Sequence, residues 1–110
     1  MFIAMNRFKV RKGSEDEFQA VWMNREVKLR TEPGFVEFHL LKGPENEDHT
    51  LFASHTVWAS EDHFIAWTKG EAFKEAHRSA PSRAPLYIGG PQFEGFRVVQ
   101  TVGREETEAA

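Results

Sequence analysis

Phe35-Val36-Glu37-Phe38-His39-Leu40-Leu41-Lys42 and Leu51-Phe52-Ala53-Ser54-His55-Thr56-Val57-Trp58 are two β-patterned runs, joined by the polar loop Gly43-Pro44-Glu45-Asn46-Glu47-Asp48. Aromatic and β-branched residues bounded by Gly, Pro, Asn and Asp predict a hairpin. Upstream of it, Thr31-Glu32-Pro33-Gly34 ends a helical stretch from about Glu15 to Arg30, where Phe18, Val21, Trp22, Val27 and Leu29 recur at roughly helical spacing. Ser14 with Glu17 three positions on makes a capping box. Acidic Glu15, Asp16 and Glu17 at the start, and basic Lys28 and Arg30 at the end, suit the helix dipole. Further upstream, Phe2 to Val10 reads as a strand with Phe2, Ala4, Asn6, Phe8 and Val10 on one face. Downstream of the hairpin, Ser60 and His63 open a second helical stretch carrying Phe64, Ile65 and Trp67. Lys69-Gly70 kinks or divides it before Phe73, Ala76 and His77. Ser79 to Gln92, with Pro81, Pro85, Pro91, Gly89 and Gly90, is predicted to be irregular, and Phe93 to Val102 to be the last strand. The order β-α-β-β-α-β is the split βαβ pattern of an α+β, ferredoxin-like antiparallel sheet.

Both faces of these strands carry large apolar residues. Leu51, Ala53 and Val57 alternate with Phe52 and Trp58, and Val99 alternates with Phe96, Val98 and Val102. Two helices cover one face of a four-stranded sheet, and an apolar second face is a hazard unless something packs on it. A homodimer burying sheet against sheet is the expected solution.

The 110 residues match the usual size of one domain. A composition 40% hydrophobic and 13% aromatic argues against disorder. Lys plus Arg number 14 against 17 Asp plus Glu, a net charge of −3, so no basic balance favours nucleic acid or an anionic membrane. Cysteine is absent, which excludes disulfides, iron–sulfur clusters and thiolate chemistry and fits a reducing compartment. The first residues, Met1 to Val10, show no signal-peptide pattern, and no apolar run approaches the roughly 20 residues needed to span a bilayer. The expectation is a cytoplasmic chain with one domain over residues 1–103, a disordered tail over 104–110, and neither nucleic acid nor membrane as partner.

No Gly-rich phosphate loop, HExxH or GxSxG is present. Paired carboxylates fall only in charge-rich, turn-like stretches such as Glu45 to Asp48 and Glu105-Glu106, where a solvated surface explains them. His39 and His55 stand as cross-strand neighbours if the hairpin forms, which makes a metal site conceivable, without a third ligand at a suggestive spacing. Asn6 is an amide on an otherwise apolar strand face; it either bonds neighbouring backbone or serves a ligand, because burying it unpaired costs about 1–3 kcal/mol. His77 lies one turn after Phe73 near a helix end, where a histidine also acts as a favourable cap. Trp67, with His63 one turn before it, reads alone as a core aromatic.

Together these residues form a constellation. Met5-Asn6-Arg7, the turn Thr56-Val57-Trp58-Ala59-Ser60, and the run from Phe64-Ile65-Ala66-Trp67 through Phe73-Lys74-Glu75-Ala76-His77 resemble the IsdG-type haem-degrading monooxygenases. That group belongs to the antibiotic biosynthesis monooxygenase (ABM) superfamily of dimeric ferredoxin-like barrels. The resemblance covers roughly residues 2–80, plus the last strand as pattern only. The strand and helix pattern is general to the superfamily; Asn6, Trp67 and His77 select the haem-degrading branch.

The resemblance implies a single ABM-type domain and haem as both substrate and cofactor. His77 would be the axial ligand of the haem iron. Asn6 would hydrogen-bond bound oxygen on the opposite face without offering a labile proton. Trp67 would press the porphyrin out of plane. Phe64, Phe73 and Met23, with Phe8 and Trp22, are candidates to line an apolar pocket between the sheet and the second helix. Arg78 and Arg83 are candidates to meet the propionates. Turnover would consume O2 and electrons from an external donor, such as an NAD(P)H-dependent reductase. It would release iron, a bilin-like tetrapyrrole and a one-carbon fragment. Two other readings stay open. One is a haem- or small-ligand-binding dimer without turnover. The other is a cofactor-independent oxygenase of the same superfamily acting on a polycyclic aromatic, with His77 structural or a base.

Overall fold

Alternation along Phe2–Arg11 (β1) buries Phe2, Ala4, Phe8 and Val10 on one side of the strand, and β1 becomes a central strand of the sheet. The computed structural model describes residues 1–24, 29–71, 73–74 and 86–104. After β1 come α1 (Glu15–Asn24), a short 3-10 turn (Leu29–Thr31), β2 (Phe35–Glu45), β3 (His49–Trp58), α2 (Glu61–Thr68) and β4 (Gln92–Arg97). The strands pair antiparallel in the order β2-β3-β1-β4, as the ferredoxin-like pattern requires.

The register sets up rows of side chains facing the helices. One row is Phe35, Trp58, Phe2 and Arg97; the next is Phe38, Thr56, Ala4 and Gly95; then Leu40, Ser54, Asn6 and Phe93; then Lys42, Phe52 and Phe8. These rows support two aromatic clusters. The first holds Phe8, Val10, Phe18, Phe52, Leu86 and Tyr87, flanked by Val21, Trp22 and Leu40. The second holds Phe2, Ala4, Leu29, Trp58 and Trp67, flanked by Phe35, Phe38, Phe64 and Phe73.

Local chemistry fixes where the helices begin. Ser60 caps α2 by accepting the His63 N–H, and its hydroxyl also lies 2.7 Å from His63 Nδ1. Gly34, at φ +81°, passes so close to the His63 ring that any Cβ would overlap it, and its carbonyl accepts the Ala59 N–H at 2.7 Å. Arg97 bonds Glu61 at 3.0 Å and ties the end of β4 to the start of α2. At α1 the expected Ser14–Glu17 capping box is not among the hydrogen bonds of the described residues. Glu15 serves instead, accepting the Gly13 N–H at 2.7 Å and the buried Thr50 hydroxyl at 2.8 Å. Backbone N–H donation, then Thr50, holds the Glu15 carboxyl below its ordinary value of 4.5. A depressed carboxylate stabilises the fold above its unfolded value, and that contribution is lost as pH falls through the folded one. Urea midpoints of Glu15→Gln and the parent should therefore converge as pH is lowered below about 4.5. A constant gap down to acid pH would refute this role.

Four further sequence expectations change. The first helix does not run unbroken to Arg30; α1 closes at Asn24, and Leu29 to Thr31 form a separate tight turn around buried Leu29, with residues 25–28 outside the described set. β4 ends at Arg97, not Val102, because it pairs with β1 only as far as Phe2. One further bond, from Val98 N to Met1 O, closes the ladder, and Val99 and Val102 are 95% and 82% exposed. The hairpin strands run longer than predicted, to Glu45 and from His49, with a bulge between Lys42 and Glu45 where Pro44 has no N–H to give. The end of the Pro-rich segment is not loose. Leu86 and Tyr87 enter the first cluster, Tyr87 bridges Val10, and Ile88 N bonds Lys9 O at 2.8 Å. The break in the second helical stretch at Lys69-Gly70 is where it was expected, and Phe73 and Lys74 are helical again beyond it. The tail expected over 104–110 lies outside the described residues from 105 onward. Among the described residues no helix is long and apolar enough to cross a membrane.

Candidate active site

Asn6 occupies the row between the two aromatic clusters, on the helix-facing side of β1, with Ser54 beside it on β3 and Phe93 on β4. It is half-buried, and its amide has no hydrogen-bond partner among the described residues. Ser54 is 4% exposed. Asn6 and Ser54 thus sit side by side on this face, with Phe8 and Phe52 in the row on one side and Phe38 in the row on the other. An amide so placed can donate to a ligand without giving up a bond within the fold.

From Asn6 an aromatic path leads to α2. Phe93 stacks on Phe64 with ring centres 5.5 Å apart and planes 7° apart. Phe64 meets Phe2 at 5.3 Å and Trp58 at 6.2 Å. Trp58 meets Trp67 at 6.1 Å, and Trp67 meets Phe73 edge-on at 5.7 Å. Asn6, Phe64, Trp67 and Phe73 are therefore brought into one region by β1, β4 and α2. Trp67 is held between Trp58 and Phe73 and is 9% exposed. His77, four residues beyond Phe73, lies outside the described residues, as do Arg78 and Arg83.

The other expected lining residues sit apart. Phe8 and Trp22 belong to the first cluster, 5.7 Å from one another, with Trp22 stacked on Phe38 at the boundary of the second. Met23 is 80% exposed near the end of α1, on the rim of a shallow groove of about 200 Å³ lined by Gln19, Leu40, Leu41, Lys42 and Phe52. That groove lies between α1 and β2, not between the sheet and α2. It is smaller than an ordinary ligand site of roughly 300–1,000 Å³.

Two residues near the site escaped the sequence reading. Ser54 shares its strand face with Thr50 and Thr56 as well as Phe52 and Trp58, so no break in pattern marks it. Trp58 has its indole N–H fully buried without a partner, which no sequence pattern reveals.

The residues present suit a flat, largely apolar ligand with one acceptor for the Asn6 amide. Among the described residues no group of three or more His, Asp or Glu is placed to hold a bare metal ion. Residues 1–79 match the family model described as antibiotic biosynthesis monooxygenase. A heme-degrading monooxygenase of Shouchella clausii is 32% identical over 98 residues, covering 89% of this chain and 90% of its own. A staphylobilin-producing heme oxygenase of Staphylococcus haemolyticus is 33% identical over 79 residues, 72% of this chain and 75% of its own. The heme-degrader MhuD of Mycobacterium tuberculosis, solved with two hemes in its active site, superposes with a TM-score of 0.71 at 32% identity, covering 94% of this chain and 100% of its own. SnoaB, a cofactor-independent oxygenase of Streptomyces nogalater, shares the fold at 23% identity and a TM-score of 0.68, covering 94% of this chain and 97% of its own. The chain therefore belongs to the antibiotic biosynthesis monooxygenase family, and its resemblance to heme-degrading members holds above 30% identity over most of its length.

Proposed function

We propose that this protein is a haem-degrading monooxygenase, opening the porphyrin with O2 and externally supplied electrons to release iron and a bilin-like tetrapyrrole. The observation that carries the reading is the unpaired Asn6 amide facing the helices between two aromatic clusters. Relatives above 30% identity that degrade heme support it.

Haem, when bound, supplies the redox chemistry. This chain would supply the rest. His77 would hold the iron. Trp67, braced by Trp58 and Phe73, would form a rigid wall that resists a planar ring. Phe64 and Phe93 would shield the site from water, and the Asn6 side-chain N–H would donate to the oxygen being reduced. An amide suits that task because it donates a hydrogen bond yet has no proton to lose near neutral pH.

Haemin titration followed by reductant in air tests the proposal. A Soret band that saturates and then decays to bilin-like absorption is expected. A Soret band that survives reductant would identify a carrier or sensor. No Soret change at all would leave the cofactor-independent oxygenase, to be screened with polycyclic aromatics. His77→Ala is expected to keep the far-UV spectrum and to lose the axial-imidazole signature; an unchanged haem spectrum would refute the ligand assignment.

The working form proposed is a homodimer with the helix-free sheet faces packed together. That face carries Ile3, Met5, Leu51, Ala53 and Val57 in its centre, with Leu41 39% and Phe96 44% exposed, and no described helix covers it. Phe96→Glu places a charge on the face without touching the core. Sedimentation should show the parent as a dimer and this variant shifted to monomer; a monomeric parent at micromolar concentration would refute the packing.

A further inference from the structure

We propose that Ser54 is a second polar residue of the haem site, its hydroxyl and the Asn6 amide donating together to one small acceptor bound on the ring's open face. Ser54 and Asn6 are direct register partners on β3 and β1. Cβ atoms of cross-strand partners that share a face stand about 4.5–5.5 Å apart. Serine carries its oxygen one bond from Cβ, and asparagine its amide nitrogen two bonds from Cβ, so both donors can reach the same atom. Neither is committed elsewhere. Among the described residues no hydrogen bond joins them to each other or to any third group.

Burial separates Ser54 from an ordinary surface serine. It is 4% exposed, on the helix-facing side of a central strand, and Phe52 and Thr56 are its neighbours along that face. Its hydroxyl is nevertheless not sealed in. Among the described residues the fully enclosed side-chain polar atom without a partner is the Trp58 indole nitrogen, so the small surface that Ser54 keeps includes Oγ. Thr50, on the same strand face, differs: it is fully buried and gives its hydroxyl to Glu15. Ser54 and Asn6 therefore form a pair of uncommitted donors that open onto one largely apolar space. A hydrogen bond made there is electrostatically stronger than the same bond in water. Ser54 acquires this role only if the ring binds against this face as proposed above, and one experiment separates the two.

The full chain is loaded with haemin and titrated with sodium fluoride, an anion that binds ferric haem iron and accepts hydrogen bonds from donors facing it. Ser54→Ala deletes the hydroxyl and little else. It should take up haemin as the parent does and bind fluoride about tenfold more weakly. Asn6→Ala should lose about as much, and Ser54→Thr, which keeps a hydroxyl, should bind fluoride as the parent does. A purely structural serine predicts the opposite pattern, with stability or haemin uptake reduced and fluoride affinity unchanged. A second measurement does not depend on substituting Ser54. In the fluoride complex of Asn6→Ala, where Ser54 remains as donor, the iron–fluoride vibration should still shift between H2O and D2O. Haemin uptake with equal fluoride affinity in Ser54→Ala and the parent overturns the role of Ser54 and leaves the haem reading standing. So does an Asn6→Ala complex without an isotope shift. A parent that takes up no haemin overturns both.

Discussion

Asn6→Ala will bind haem as the parent does and degrade it on the order of 100-fold more slowly, while its stability stays within about 0.5 kcal/mol of the parent. The two halves of this result are opposed for a reason. A structural asparagine bonds its neighbours, and truncating it leaves buried groups unpaired at a cost of about 1–3 kcal/mol. The Asn6 amide has no such partner among the described residues, so its loss leaves nothing stranded in the fold. Its row partners are Ser54 and Phe93, and a methyl group sits beside them without clash. A single preorganised donor aimed at developing charge is worth about 10²–10³ in rate. Single-turnover degradation of pre-bound haem and urea unfolding, run on the same preparation, read both quantities. Unchanged turnover with lost stability would return Asn6 to the core, and with it the case for a haem site on this face.

Phe52→Ala will lose about 3–5 kcal/mol, against the roughly 5–15 kcal/mol that holds a native domain together. Phe52 is 1% exposed, sits opposite Phe8 in the β1–β3 register, and meets Phe18 of α1 at 5.1 Å. Through Phe8 and Phe18 it also supports Tyr87. Removing it opens a cavity where three segments meet, and rigid strands cannot collapse to fill it. The urea midpoint should fall with little change in slope, since the surface exposed on unfolding hardly alters. Phe93→Ala is the internal comparison: that ring is 51% exposed, and its loss should cost far less. Equal losses at the two positions would mean that the first cluster does not carry the stability assigned to it.

Part of the site was readable because one of its signals is a local violation of pattern. An amide among Phe2, Ala4, Phe8 and Val10 breaks an otherwise apolar face, and period-2 alternation makes that visible without coordinates. Trp67 and Phe73 were legible as helical-face aromatics, and the structure holds them edge to face. Met23 shows the limit of that method. It was grouped with Phe64 and Phe73 on chemistry alone, yet it lies at the rim of a groove between α1 and β2.

Element order, the shared face of Phe2, Ala4, Asn6, Phe8 and Val10 and the His39–His55 adjacency follow from the sequence alone. Alternation, capping and turn chemistry act over a few residues and need no distant partner. Three things needed the tertiary structure, because each depends on segments far apart in the chain. β4 stops at Arg97 because its partner strand reaches only Phe2, although Val98, Val99 and Val102 have every local reason to continue it. Glu15 anchors the start of α1 through the hydroxyl of Thr50, 35 residues away, where the local pattern favoured a Ser14–Glu17 box. Leu86 and Tyr87, in a segment whose prolines and glycines predict only irregularity, are core residues because Val10 and Lys9 offer them an unpaired strand edge. Burial and pairing of that kind are decided by what arrives alongside, and local propensity carries no record of it.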